Sequence, residues 1–141
     1  MFVTAKIIPV CLYMIVGVIS LTMAYKNIFA NRIIPFQEQA AGKSWNDIEK
    51  GVQFVIITLM KVSGLGFLVI ALLLMIFPVV NYFDNNSFVQ YVIPVISLLY
   101  CFGLFLFNYH LYIQTKVSTP WKRSLYAAII ISVGLILSSL L

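Results

Sequence analysis

The fold is decided by residues 52–80, VQFVIITLMKVSGLGFLVIALLLMIFPVV, where Lys61 is the one charged side chain. An α-helix needs about 20 apolar residues to cross the ~30 Å hydrocarbon core of a bilayer. This stretch exceeds that length, and three other parts of the chain approach or reach it. The sequence therefore predicts an all-α membrane protein with four transmembrane helices and an unusually long second helix. The expected spans are about 7–25, 51–80, 88–112 and 121–141, within one domain covering residues 1–141.

Composition supports the same class. Hydrophobic residues make up 62% of the 141-residue chain and charged residues only 9%, whereas soluble domains carry about a quarter charged residues. The formal net charge of +5 does not indicate nucleic-acid binding, because that would require a basic face on a folded soluble surface. We expect membrane lipid as a partner and no nucleic acid.

The basic residues predict the orientation of the helices. Lysine and arginine favour the cytoplasmic side of a membrane, and they concentrate in loops 26–50 and 113–123. We therefore expect an up-down-up-down bundle with cytoplasmic loops and both termini outside, in a bacterial inner (plasma) membrane. Residues 22–24 resemble a signal-peptide cleavage site. Cleavage there would place loop 26–50 outside, so we expect the first segment to be retained.

Small and weakly polar side chains recur at helical spacing on every span except the second, where Gly64 and Gly66 provide a site of close approach. Such faces let helix backbones approach closely in lipid, so we expect them to meet at the axis of the bundle. The expected helix-packing residues are Gly17, Ser20, Ala24, Gly64, Gly66, Ser97, Cys101, Ser124, Ala128 and Ser132.

Two local motifs predict where helices begin. Ser44 followed by Asp47 fits an S-x-x-[DE] capping box, which predicts that the second helix starts there and runs to Pro78. Thr119 before Pro120 fits an N-cap followed by proline at the first helical position.

We expect a cluster of polar and aromatic side chains at the cytoplasmic mouth of the bundle. This cluster forms either a binding pocket or a solvated helix end. Lys61 has two interpretations. It lies at the membrane boundary with its ammonium group extended to the headgroups, or it faces the bundle interior and pairs with an acidic group. The candidate ligand-binding residues are Glu38, Trp45, Glu49, Gln53, Lys61, Asn108 and Trp121.

The sequence contains no recognisable catalytic or metal-binding motif. Asp and Glu are absent from the cores of the spans, the two cysteines are far apart, and His110 is the only histidine. A zinc site needs several His, Cys, Asp or Glu ligands, so we expect no metal, no cofactor and no catalytic residues.

Residues 37–45, 60–66 and 119–121 together resemble small uncharacterised bacterial four-helix membrane proteins, and the layout is similar to that of the DoxX-like group. The match covers about a quarter of the chain. It implies a four-helix integral membrane fold and no established reaction. It also implies that the loop at Glu38–Trp45 and the patch at 60–66 form one functional surface.

Three hypotheses of function remain open. The leading one is a non-enzymatic subunit or homo-oligomer that acts through helix packing, alone or in a larger membrane complex. The second is binding or transport of a small amphipathic molecule or lipid at a cytoplasmic pocket around Lys61. The third is a membrane enzyme that uses Glu49 or His110 as a base on a lipid substrate.

Overall fold

The computed structural model describes residues 2–84 and 87–140, and over these residues it contains helices and no strand. Four of the helices are long and apolar enough to cross a membrane. This confirms the prediction of an all-helical protein with four helices that could span a membrane. The five α-helices are α1 (Phe2–Ile28), α2 (Pro35–Ala41), α3 (Lys50–Asp84), α4 (Ser87–Thr115) and α5 (Trp121–Leu140).

The long second helix is α3, and its apolar window, Lys50–Asn81, agrees with the predicted span of about 51–80. The start predicted from the Ser44 motif and the stop predicted at Pro78 are wrong. Helix α3 begins at Lys50 because Ser44 precedes a separate 3-10 turn, Trp45–Asp47, and makes no side-chain capping bond in the described chain. It continues through Pro78 to Asp84, since neighbouring helices and small local adjustments satisfy the freed backbone groups in membrane helices. Its 35 residues measure about 52 Å at 1.5 Å per residue.

The connection between α1 and α3 is ordered by local hydrogen bonds. The backbone N–H of Ile34 donates to Oε1 of Gln37 at 3.0 Å, and Pro35 supplies the first helical residue of α2. The helix ends at Gly42, whose φ of 64° is left-handed and whose N–H donates to the carbonyl of Gln39. Glycine suits this position because it has no Cβ to clash.

Helices α1 and α3 approach closely at two glycines. A Cβ added to Gly17 would lie 2.6 Å from Cγ of Met75, and one added to Gly64 would lie 2.8 Å from Cγ1 of Ile28. Helices α1 and α3 are therefore antiparallel.

Helix α5 closes the arrangement by contacting both α1 and α4. The ring of Tyr13 lies against Gly134, and its hydroxyl is 3.5 Å from that of Ser138. The side-chain amide of Gln90 donates to the carbonyl of Ser138 at 3.2 Å. Consecutive long helices also contact one another, so each has two neighbours. The buried core consists of Tyr13, Val16, Ile70, Leu74, Cys101, Ala127, Ala128 and Ile131.

Helix α3 extends well beyond the end of α1. Because Gly64 contacts Ile28, the last residue of α1, residues 50–62 reach past that end by about 20 Å. We call residues 50–62 the α3 extension. Lys61 lies in it, one turn before Gly64.

Candidate functional site

An open groove of about 450 Å³ lies between α4 and α5. Ala128 is buried at its base, whereas Phe102 and Ile129 on its sides are about half exposed. The groove therefore has a small-residue floor and bulky apolar walls. The residues that line this α4–α5 groove are Leu98, Leu99, Phe102, Ala128, Ile129, Ser132 and Val133.

The one polar side chain in the groove is satisfied internally. The hydroxyl of Ser132 donates to the carbonyl of Ala128, one turn earlier in the same helix, at 2.8 Å. A serine bonded in this way leaves no free donor for a ligand. The α4–α5 groove is thus chemically suited to an apolar chain.

Four aromatic rings meet beside the beginning of α5 and form what we call the aromatic cluster. The centroid of Trp121 is 6.2 Å from Phe105, 5.5 Å from Tyr109 and 6.1 Å from Tyr112. Phe105 and Tyr109 are themselves stacked at 5.6 Å. Aromatic pairs attract at such separations, so the cluster fastens the first turn of α5 to α4.

The aromatic cluster continues the α4–α5 groove. Residues seven apart lie on nearly the same face of an α-helix, two turns from each other. Trp121 is therefore on the same face of α5 as Ala128, and Tyr109 is on the same face of α4 as Phe102. Phe102 in the groove also contacts Phe105 of the cluster, with centroids 6.1 Å apart. One continuous surface therefore runs from the groove to the start of α5.

Positive charge is concentrated at the end of this surface that lies beside the start of α5. Lys116, Lys122 and Arg123 are all exposed, and Nζ of Lys122 lies 5.7 Å from the centroid of Trp121. Residues 87–140 contain no Asp or Glu, so no carboxylate of the same two helices neutralises these cations.

The predicted site residues of the α1–α3 connection form a separate hydrogen-bonded group. The carboxylate of Glu38 accepts the backbone N–H of Trp45 at 2.8 Å. The side-chain amide of Gln53 donates to the carbonyls of Trp45 and Ile48 at 2.7 and 3.0 Å. Glu49 is exposed beside them. These bonds fix the connection to the start of α3 and engage one carboxylate oxygen of Glu38 and the amide nitrogen of Gln53.

Lys61 is exposed on α3 and does not point into the bundle. Since α1 ends beside Gly64, Lys61 lies just past the end of that helix. Its exposure does not support the interpretation that Lys61 faces the bundle interior, and its depth in a membrane stays a prediction.

Asn108 and Trp121 belong to the α4–α5 side of the molecule. The side-chain amide of Asn108 donates to the carbonyl of Leu104 at 2.8 Å. The carbonyl of Asn108 accepts the hydroxyl of Thr119, also at 2.8 Å. The prediction that Thr119 caps α5 is therefore wrong, because its hydroxyl fastens the connecting loop to α4 and the helix begins at Trp121.

Most of the expected helix-packing residues lie inside the bundle. Gly66 is partly exposed, with its Cβ position 3.0 Å from the hydroxyl of Tyr100. Ser124 and Ser132 are also partly exposed, the latter in the α4–α5 groove. The buried ones are Gly17, Ser20, Ala24, Gly64, Ser97, Cys101 and Ala128.

Sequence reasoning missed Phe105 and Tyr109, the rings that join Trp121 to the groove. The available signal was their spacing, because Leu98, Phe102, Phe105 and Tyr109 follow each other by three or four residues. In a helix that is apolar on all sides this spacing is not distinctive, so the groove becomes visible only once α5 is placed beside α4.

The two residues considered as catalytic bases lie on different parts of the chain. Glu49 precedes α3, and His110 is on α4; both side chains are exposed. Within residues 2–84 and 87–140, no group of three His, Cys, Asp or Glu residues is placed to hold a metal ion.

Comparison with protein-family models, curated proteins and solved structures found no match. The resemblance in layout to the DoxX-like group therefore stays a prediction.

Proposed function

We propose that this chain is a non-enzymatic integral membrane protein that binds one amphipathic lipid molecule, with the apolar chain held in the α4–α5 groove. The observation that carries the proposal is the continuity of three surfaces. An apolar groove leads to an aromatic cluster, and the cluster leads to an exposed cationic end. An amphipath has the same order of properties along its length.

The size and lining of the groove support this function. Ligand sites commonly measure about 300–1,000 Å³ and are mostly apolar, with a few polar groups at defined places. The α4–α5 groove, at about 450 Å³, lies within that range. The exposed cations lie beyond one end of the groove, beside the start of α5, so a bound amphipath would have a defined direction.

The α4–α5 groove is a better candidate for the binding site than a pocket around Lys61. Lys61 is exposed on α3, whereas Glu38 and Gln53 are engaged in hydrogen bonds that order the backbone of the connection. We therefore retain the hypothesis that an amphipathic molecule binds at the cytoplasmic side. We place its site between α4 and α5 instead of around Lys61.

The proposal includes an orientation. With an up-down-up-down arrangement, both termini outside and loops 26–50 and 113–123 in the cytoplasm, the aromatic cluster lies in the cytoplasmic leaflet of a plasma membrane. Aromatic side chains concentrate at membrane interfaces, in agreement with this depth.

Filling the groove should abolish binding. We expect native mass spectrometry of the protein in mild detergent to show one retained lipid per chain, and Ser132→Phe to lose it because the new ring occupies the groove. Ser139→Phe is the matched control, since Ser139 is exposed and lies outside the groove. Equal lipid retention by both variants would contradict the proposal.

A second candidate function is self-association through the outer face of α3. Val52, Val55, Leu59 and Val62 follow a three-four spacing, and each is about half exposed or more. Val69 and Ile76 continue the same seven-residue repeat, which is the pattern of paired helices. Because this stripe continues into the α3 extension, a second copy of the chain would cover apolar surface that lies past the end of α1.

Cysteine cross-linking distinguishes self-association from mere exposure to lipid. In a background with Cys11 and Cys101 replaced by serine, oxidation in membranes should convert Leu59→Cys to a disulfide-linked dimer. Phe107→Cys on α4 should remain monomeric, although Phe107 is even more exposed, at 78% against 63%. Absence of the Leu59→Cys dimer, or equal dimer from both variants, would exclude pairing through this face.

A further inference from the structure

Resting on the proposed function, we infer that the bound molecule is an acidic phospholipid of the cytoplasmic leaflet, with its anionic headgroup at Lys122 and Arg123. The α4–α5 groove alone cannot distinguish an acidic phospholipid from other lipids. Lipid tails are as apolar as the groove, so exchanging one chain for another brings little hydrophobic gain. Discrimination among lipids must therefore come from the polar end of the site.

The charge at that end is complementary to an anion. Lys122 and Arg123 are consecutive and exposed at the first turn of α5, and Lys116 lies in the preceding loop. With no carboxylate in residues 87–140, these three cations are uncompensated within their own half of the chain. Guanidinium and ammonium groups bind phosphate oxygens by charge-assisted hydrogen bonds.

The other cytoplasmic loop lacks this imbalance, although it contains more cations. Loop 26–50 carries four basic residues but also three carboxylates, one of which, Glu38, accepts the backbone N–H of Trp45. A general attraction of basic loops to the membrane would not single out α5. The local charge balance does, because α5 combines cations that have no carboxylate in residues 87–140 with the adjoining α4–α5 groove.

The length of the site fits one leaflet. From Trp121 to Val133 the helix rises about 18 Å, and half of a ~30 Å hydrocarbon core is about 15 Å. A lipid whose headgroup lies at Lys122 would therefore place its chain along the aromatic cluster and then in the groove. The ring of Trp121, 5.7 Å from Nζ of Lys122, would lie between headgroup and chain, where indole rings are favoured in membranes.

Trp121 also provides the readout. Trp45→Phe leaves Trp121 as the only tryptophan, and bromine atoms on a lipid chain quench a nearby indole. The Trp45→Phe protein would be reconstituted in phosphatidylcholine vesicles and titrated with brominated-chain phosphatidylglycerol or brominated-chain phosphatidylcholine. At about fivefold per surface cation, we expect half-maximal quenching at roughly 25-fold lower mole fraction of the acidic lipid.

Two variants in this background test the assignment. Lys122→Gln with Arg123→Gln should bring the acidic-lipid curve to that of phosphatidylcholine. Lys43→Gln with Lys50→Gln removes the same charge from the other loop and should leave the preference in place. Equal curves for both lipids in the parent, or equal loss of preference in both variants, would overturn the headgroup assignment.

The same titration separates this inference from the proposed function. If Ser132→Phe loses the retained lipid but the parent shows no headgroup preference, the groove binds amphipaths and the acidic-lipid inference fails. If Ser132→Phe changes neither lipid retention nor quenching by either lipid, the groove is not a site and both fail.

Discussion

Replacing Gly64 by valine should destabilise the bundle by about 1–3 kcal/mol, the usual cost of forcing extra atoms into a packed interior. A Cβ at this position would lie 3.0 Å from the backbone nitrogen of Ile28 and 3.0 Å from Cβ of Asn27. Neither of these atoms is the end of a flexible side chain. Helices α1 and α3 would therefore have to separate, and contacts along their shared face would weaken.

Gly103→Val is the matched control, because a Cβ on Gly103 would meet no described atom within 4 Å. Both substitutions introduce the same β-branched residue into a transmembrane helix, so differences in helix propensity cancel. Thermal unfolding in one detergent, followed by circular dichroism, should show a lower midpoint for Gly64→Val only. A comparable drop in Gly103→Val would mean that valine itself, and not the α1–α3 contact, is responsible.

Impermeant thiol reagents applied to intact cells should give an all-or-none result for the proposed topology. In the background with both native cysteines replaced by serine, Lys43→Cys should be protected and Asn85→Cys labelled; Asn85 lies outside the described residues. The physical reason is that basic residues are retained on the cytoplasmic side during insertion, and loop 26–50 holds four of them.

Permeabilised cells supply the control for accessibility, since Lys43→Cys should then react as readily as Asn85→Cys. Labelling of Lys43→Cys and protection of Asn85→Cys in intact cells would reverse the topology. The aromatic cluster would then lie in the outer leaflet, and the acidic lipid would have to come from that side.

The sequence predicted the membrane class because hydrophobic length is a property of each segment alone. Its helix boundaries were less certain. Ser44 and Thr119 each had the sequence of an N-cap, yet one precedes a separate 3-10 turn and the other hydrogen-bonds to Asn108. A capping motif describes local chemistry, whereas the choice of partner depends on which helix is brought alongside.

The candidate site was harder to predict for the same reason. Glu38, Trp45 and Gln53 were expected to act together, and the structure does bring them together, through backbone hydrogen bonds. The sequence also points to Trp121, but Phe105, Tyr109 and Tyr112 beside it come from another helix. Only the packing of α5 against α4 turns these four rings and the small-residue floor of the groove into a continuous surface.

The unequal apolar lengths of the helices have a consequence for the position of α3 in a bilayer. The apolar window of α3, Lys50–Asn81, has 32 residues, whereas that of α5, Trp121–Leu140, has 20. No single hydrocarbon thickness matches both, and each ångström of mismatch costs a fraction of a kcal/mol. Because the 20 residues of α5 already span a ~30 Å core, we expect the surplus length of α3 to be taken up by a tilt of that helix or by projection of its first turns into the headgroup region.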